Sequence, residues 1–249
     1  MRGGLVRTEA IVLSKLKYSD SSNIVSFYTR KRGKISGLLK GARSIKSKSG
    51  LATDVLNIVE LFYYEKEGRE LYTINSAELV FHPASVLTGL VPLACATSVI
   101  ELLKELTVLH EANERLFRGS DKILRLMDAP GADPLLLLLR YYFFILDESG
   151  VGIHYESCAS CGSGIVDGEH ARFDSGYGIL CQNCAMEKRR GIKISMELYG
   201  LINCLITGKR YENGDPKLKT DLLGILETYT RTHFETFKGL KALRILGDL

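Results

Sequence analysis

Cys158-Ala159-Ser160-Cys161 and Cys181-Gln182-Asn183-Cys184 are the residues of this 249-residue chain best equipped for chemistry. Each pair sets two thiols two residues apart, so that both sulfurs can reach one tetrahedral ion. Nineteen residues separate the pairs. Two such knuckles close a four-sulfur cage, and the arrangement reads as a structural zinc site, one Zn(2+) per chain on Cys158, Cys161, Cys181 and Cys184. A cage of four thiolates leaves no open position for water or substrate, which points to a binding protein rather than a metalloenzyme. Gly162, Gly164, Gly168, Gly176 and Gly178 make the stretch turn-rich, as a small metal-stapled module requires.

Other uses of the cysteines fit less well. The start of the chain, Met1-Arg2-Gly3-Gly4, leads into no apolar signal segment. A reducing, cytoplasmic setting is therefore expected, where cysteine pairs are ligands or redox centres more often than disulfides. A redox Cys-x-x-Cys would need one pair and a βαβ setting, which the pattern does not provide. His154-Tyr155-Glu156 ahead of Cys181-x-x-Cys184 has the outline of the zinc-deaminase pattern H-x-E…P-C-x-x-C. However, Leu180 stands in place of the proline, and Cys158 and Cys161 would be left idle beside a metal. No Walker loop, dinucleotide fingerprint, HExxH or nucleophile elbow is present, and no catalytic residue is assigned. Cys95 and Cys204 lie in apolar helical patterns and read as buried small hydrophobes.

Charge supplies the second signal. The net charge is +4, yet residues 1–48 hold twelve Lys/Arg against two acids, Glu9 and Asp20. A basic end on a mildly acidic body suits a polyanion ligand, nucleic acid first and an acidic membrane second. The longest apolar stretch, around 135–146, is broken by Arg140 and is too short to span a bilayer. The candidate phosphate contacts are Lys15, Lys17, Arg30, Lys31, Arg32, Lys34, Lys40, Arg43, Lys46 and Lys48. Phe27, Tyr28, Phe62, Tyr63 and Tyr64 are candidate base platforms, of which strand alternation should bury about half. No base-reading constellation is visible, so weak sequence preference is expected.

The elements that must position these residues follow from periodicity. Ala10–Leu13, Ile24–Tyr28, Ile35–Leu39, Leu56–Tyr64 and Leu71–Ile74 are short β-branched or aromatic runs. Turns at Ser19–Ser22, Lys31–Lys34 and Glu67-Gly68-Arg69 separate them, with Lys40–Gly50 as a basic loop. Four to five strands in this length suit a small closed barrel. Beyond His82-Pro83 the period becomes helical: Val99, Leu102, Leu103, Leu106 and Leu109, then Leu116, Ile123, Leu124 and Met127. A third helix should open at Pro134 and end by Ser149-Gly150. After the cysteine module come Ser195–Thr207, capped by Ser195, and Lys217–Phe237. The expected class is α+β: a barrel over 1–80, a helical domain over 81–150, a zinc-finger module over 151–190, and C-terminal helices over 191–249 packing on the helical domain.

The chain resembles the bacterial recombination mediator family RecO. The likeness is carried by Glu9-Ala10-Ile11-Val12-Leu13, Tyr18–Val25, Thr29-Arg30-Lys31-Arg32-Gly33-Lys34, Lys40–Ser47, the two Cys-x-x-Cys pairs and the ending Leu-Lys-Ala-Leu-Arg-Ile-Leu over 240–246. The resemblance implies an N-terminal OB-fold, a helical domain and a zinc-binding insertion. It also implies DNA repair and recombination without enzymatic activity: binding of single- and double-stranded DNA, annealing of complementary strands, and loading of RecA on strands coated by single-strand-binding protein. RecR and single-strand-binding protein are the implied partners, in the cytoplasm at the nucleoid. The rival is an OB-plus-zinc module of a ligase, polymerase or translation-associated protein. A ligase would need a nucleotidyl-accepting lysine motif, which is not evident, and a translation factor would prefer structured RNA.

Overall fold

The computed structural model describes residues 4–44, 46–65, 68, 70–165, 170–188, 191–209, 211 and 215–245. Met1–Gly3 of the leading segment, Glu67 and Arg69 of the second hairpin turn, Gly168 of the cysteine module and Leu246 of the ending lie outside the described residues. The chain divides into two compact units, Met1–Pro134 and Leu135–Leu249.

In the first unit, β1 (Leu5–Lys17), β2 (Asn23–Thr29), β3 (Gly33–Leu39), β4 (Ile58–Tyr64) and β5 (Leu71–Phe81) close a barrel in the order β1-β2-β3-β5-β4. All neighbours are antiparallel except β3 and β5, which run parallel. This is the OB-type arrangement. Alternation explains the closure: Val25 and Phe27 of β2 and Ile35 and Leu39 of β3 point inward, joining Ala10, Val12, Val59, Leu61, Tyr63, Tyr72 and Ile74 in one buried cluster. Each large aliphatic or aromatic side chain buried there contributes about 1.5–3 kcal/mol. A bulge between Val12 and Ser14 bends β1, so that one strand serves both β4 and β2.

The barrel differs from the sequence pattern in several details, beginning with β1, which spans Leu5–Lys17 rather than Ala10–Leu13. Leu56 has φ 77 in a turn closed by Asn57 N–H to Asp54 O at 3.1 Å, so β4 starts at Ile58 rather than Leu56. Strand β5 runs on to Phe81 instead of stopping at Ile74. Its middle, Asn75-Ser76-Ala77-Glu78, is made of weak strand formers and is held by pairing along β4. The end of the basic loop folds into α1 (Lys48–Ala52), whose N-cap Ser47 accepts from Gly50 N–H at 3.1 Å.

Helices α2 (Leu90–Leu106) and α3 (Glu114–Met127) complete this unit. Leu109 falls beyond α2, with its side chain 51% exposed, because the chain leaves the helix at Thr107 in an extended conformation. Instead it lies beside Lys34 of β3, where His110 N–H donates to Lys34 O. The α3 N-cap is Asn113, accepting from Leu116 N–H at 2.9 Å. Its buried positions Leu116, Phe117, Ile123, Leu124 and Met127 form one face. Cys95 is fully buried in α2, and burial pushes its thiol up to about 12.

The second unit holds α4 (Pro134–Glu148, opening at the division), a three-stranded sheet of β6 (Arg172–Asp174), β7 (Gly178–Leu180) and β8 (Ile192–Lys193) in the order β7-β6-β8, and α5 (Gln182–Lys188). Next come α6 (Met196–Thr207), α7 (Pro216–His233) and α8 (Lys241–Arg244). Ser195 caps α6, accepting from Leu198 N–H at 3.1 Å. Asp215 caps α7, which ends at His233, short of Phe237. Cys204 of α6 is half-buried rather than buried.

Gly33 sits at the β2–β3 turn with φ 62, and a Cβ there would lie 1.8 Å from Glu111 O. Gly41 has φ 68 but open space around it. Gly33→Ala should therefore lower the unfolding free energy by more than about 2 kcal/mol, and Gly41→Ala by only about 1 kcal/mol. Urea titration of the two variants reads the difference; equal losses would contradict the packing of residue 111 against the turn.

Candidate metal centre and nucleic-acid interface

The cysteine pairs are built by different local structures. Cys158 and Cys161 sit in a tight knuckle. Cys158 N–H donates to Ser163 O at 2.8 Å, Gly162 N–H donates to Cys158 O at 2.9 Å, and Gly162 takes φ 74 to complete the turn. Cys181 directly precedes α5 and Cys184 lies in its first turn, so the helix rise presents both thiols to the same side. Ala159 N–H donates to Ile179 O at 2.8 Å, tying the knuckle to β7. Cys158, Leu180, Cys184 and Ala185 form a small buried cluster, with Ile165 and Cys181 against it.

All four sulfurs lie within 4.8 Å of one another, and Cys161 Sγ is 3.8 Å from Cys181 Sγ. A disulfide would need about 2.05 Å. Ligands about 2.3 Å from a central ion at tetrahedral angles stand about 3.8 Å apart. The donor set thus fits one tetrahedral, thiophilic ion. The Ser163 hydroxyl, 3.2 Å from Cys161 Sγ, and the Ser163 backbone draw the Cys161 thiol down to about 6. The Cys184 thiol, hydrogen-bonded to Cys161 and desolvated, is pushed up to about 12. The sulfurs compete for negative charge, and a cation among them resolves that competition.

His154 is exposed and stands outside the cluster, which among the described residues comprises the four cysteines. The Glu156 carboxylate accepts from Tyr155 OH at 3.0 Å. The deaminase outline therefore does not assemble. Two tyrosines fasten the module to the following helices. Tyr199 OH of α6 donates to Tyr155 O at 2.8 Å, and Tyr229 of α7 packs edge-on against Phe173 at 5.7 Å and donates to Val151 O at 3.2 Å.

The ten basic candidates divide between opposite ends of the β2–β3 hairpin. Seven-residue strands at about 3.3 Å per residue put these ends about 20 Å apart. At the hairpin turn, Arg30 bridges Glu9 (2.9 Å) and Glu114, and Arg32 pairs with Glu65 at 2.9 Å. These carboxylates hold both guanidiniums above the ordinary arginine value. Lys31 Nζ donates to Arg7 O at 2.9 Å. Lys34 Nζ donates to Lys104 O and Thr107 O, at 2.7 and 2.6 Å, and so serves the last carbonyls of α2. Burial lowers its pKa.

The other end is different. Arg43 ties the loop after β3 to the β1–β2 loop: its N–H donates to Ser21 O at 3.2 Å and its Nη1 to Ser19 O at 2.8 Å. Lys15 donates to Gly50 O at 2.6 Å and pairs with Asp54 at 2.8 Å. Lys17, Lys40, Arg43, Lys46 and Lys48 are exposed on these joined loops. Among the described residues no carboxylate pairs with any of them, although Asp20 is exposed in the same loop. Of the aromatics, Phe27, Tyr28 and Tyr63 are buried. Phe62 lies under the Arg7 guanidinium at 5.8 Å, and Tyr64 is exposed away from this end, paired with Leu5. Tyr18, absent from the sequence candidates, is 62% exposed at the loop end. Its only sequence signal is its place between Lys17 and a Ser/Asp turn.

The class so defined is an α+β chain with an N-terminal OB-type barrel and, in its second unit, a four-cysteine cluster able to hold a metal ion. The family model described as "Recombination protein O N terminal" matches residues 1–82, and "Recombination protein O C terminal" matches residues 88–243. The chain belongs to this family of DNA repair and recombination proteins. It is 28% identical to the DNA repair protein RecO of Alkaliphilus metalliredigens, over 93% of this chain and 94% of that one. Identity to the Myxococcus xanthus RecO is 27%, over 90% and 91% of the two chains. To the Listeria innocua RecO it is 26%, over 98% and 94%.

Cobalt(II) titration should give thiolate-to-metal charge-transfer bands that saturate at one ion per chain. Cys158→Ala/Cys181→Ala should abolish them and make the second unit more susceptible to protease, since metal binding is coupled to local folding. Saturation at full stoichiometry in the double variant would contradict the four-cysteine assignment.

Proposed function

We propose that this protein is a recombination mediator that binds single- and double-stranded DNA with the loop end of its barrel. It anneals complementary strands and helps load RecA on strands coated by single-strand-binding protein. The observation that carries the reading is the cluster of Lys17, Lys40, Arg43, Lys46 and Lys48 on two mutually bonded loops of an OB-type barrel. Paired cations such as Arg30 and Arg32 offer little net charge to a phosphate, whereas unpaired exposed ones release counterions when they meet it. Annealing needs two polyanions held together against their repulsion, and a basic surface supplies that screening.

In this reading 1–80 is the nucleic-acid-binding part, 81–150 the helical part, 151–190 the metal-stapled part and 191–249 the closing helices. The ion we assign is zinc, one per chain, because four thiolates at tetrahedral spacing suit it and close its coordination. It would staple the module and move neither protons nor electrons, so the protein performs no covalent reaction. RecR and single-strand-binding protein are the partners that the family resemblance implies, and the bacterial cytoplasm and nucleoid the setting. Among the described residues no helix is long and apolar enough to cross a membrane.

Reversing Lys40, Arg43, Lys46 and Lys48 to Glu should weaken single-strand and duplex binding together. With about 4–6 phosphate contacts, the log–log salt slope of the native protein should be roughly −3 to −4 on single strands, and it should flatten in the variant. Annealing should fall in parallel while metal content stays at one. Arg30, Arg32 and Lys34 are left intact because each holds a structural partner. A folded variant with unchanged affinity and slope would remove the loop end as the DNA site. Preference for structured RNA over single-stranded DNA at equal salt would favour a translation-associated role.

A further inference from the structure

The four thiols of the metal centre are not equally placed. Cys158 and Cys184 are 2% and 8% exposed and sit in the buried cluster with Leu180 and Ala185. Cys161 is exposed and Cys181 half-buried. These two accessible sulfurs belong to different pairs and lie 3.8 Å apart. Local structure separates them from the inner two in the same way. Cys158 is held at both backbone groups, its N–H donating to Ser163 O at 2.8 Å and its O accepting from Gly162 N–H at 2.9 Å, and Cys184 is fixed within α5. Cys181 directly precedes that helix. The module also has anchors outside the cage: Ala159 N–H to Ile179 O, Tyr199 OH to Tyr155 O and Tyr229 OH to Val151 O.

We propose that the metal centre is a peroxide-sensitive switch in which Cys161 and Cys181 form a disulfide and the ion is released. The switch rests on the assignment of zinc to the four cysteines. It is a reaction of the protein's own thiols and turns over no substrate. The oxidant is hydrogen peroxide, which meets the site from solvent at Cys161. The Cys161 thiolate attacks one peroxide oxygen; the O–O bond breaks, a sulfenic acid forms, and the departing hydroxide takes a proton to become water. The Cys181 thiolate then attacks the Cys161 sulfur; the S–O bond breaks, the S–S bond forms, and a second hydroxide leaves as water. Two electrons thus pass from the two sulfurs to the two peroxide oxygens. The sulfurs close from 3.8 Å to about 2.05 Å, a movement that Cys181, ahead of its helix, makes without unwinding a turn. Two remaining ligands cannot close a tetrahedral cage, so Cys158 and Cys184 take up protons as the ion leaves. The new bond joins the same two knuckles that the ion joined, and a covalent staple replaces the metallic one. With the outer anchors also in place, the second unit stays folded, and a dithiol with zinc restores the cage.

Zinc-loaded protein carrying Cys204→Ser, which removes the half-buried thiol of α6, is treated with hydrogen peroxide beside a zinc-sensitive dye. One zinc should appear per chain as two thiols are lost, and tandem mass spectrometry should find Cys161 joined to Cys181. Cys95, fully buried, should stay reduced. The oxidised, zinc-free protein should resist protease as well as the zinc-loaded one, in contrast to Cys158→Ala/Cys181→Ala. Dithiothreitol with added zinc should restore one ion per chain. A mercurial that captures every thiolate gives the total zinc independently. Zinc released by the mercurial but retained under peroxide would overturn the switch and leave the metal assignment standing; no zinc from either reagent removes the assignment and the switch together. A Cys158–Cys161 or Cys181–Cys184 disulfide, or an oxidised second unit as protease-sensitive as the double variant, would contradict the exchange of one staple for the other.

Discussion

The barrel depends on one strand pairing with two neighbours. β1 has thirteen residues; Leu5–Ile11 pairs with β4, and Ala10–Lys17 pairs with β2. The bulge between Val12 and Ser14 lets the strand turn from one partner to the other without breaking the ladder. Without that overlap the sheet would keep two open edges and the inward cluster around Phe27 and Tyr63 would be exposed. The same strand carries Leu16 and Lys17 to the loop end, where Lys17 lies near the loops that bear Lys40, Arg43 and Lys46.

Electrostatics then separates basic residues that look equivalent in sequence. Arg30 and Arg32 lie next to Lys31 and near Lys34, and the four read as a strong patch. Folding brings Glu9, Glu65 and Glu114 to the two arginines and the end of α2 to Lys34. Exposed ion pairs of this kind stabilise by about 0–1 kcal/mol, but they remove most of the local field. Lys34 does more, satisfying carbonyls that a helix end would otherwise leave open. In the proposed reading, the field offered to a polyanion comes from Lys17, Lys40, Arg43, Lys46 and Lys48. Charge density along the chain gave no way to tell the partnered cations at one end of the hairpin from the unpartnered ones at the other.

What was legible in the sequence was local. The cysteine spacing foretold the convergence of the four thiols because two-residue loops and a helix turn fix sulfur positions within a few residues. Ser195 and Pro134 marked helix starts for the same reason, and the β-branched runs located β2 and β3. What was not legible depended on distant partners. The middle of β5, Asn75–Glu78, has little intrinsic strand character and follows β4, α1 forms where Gly50 packs within reach of Ala42 O, and Leu109 leaves the helical period to run beside Lys34. The outward placing of Leu16 was hidden by the bulge, which shifts the inside–outside alternation midway along β1.

The central claim is that the loop end of the barrel, and not its hairpin end, meets DNA. Lysine acetylation footprinting read by mass spectrometry tests it residue by residue. Saturation with a single-stranded oligonucleotide should protect Lys17, Lys40, Lys46 and Lys48 and leave Lys31 and Lys241 as reactive as in the free protein. Protection centred on Lys31, or on Lys241 in the second unit, with Lys40 and Lys46 unchanged, would contradict the account.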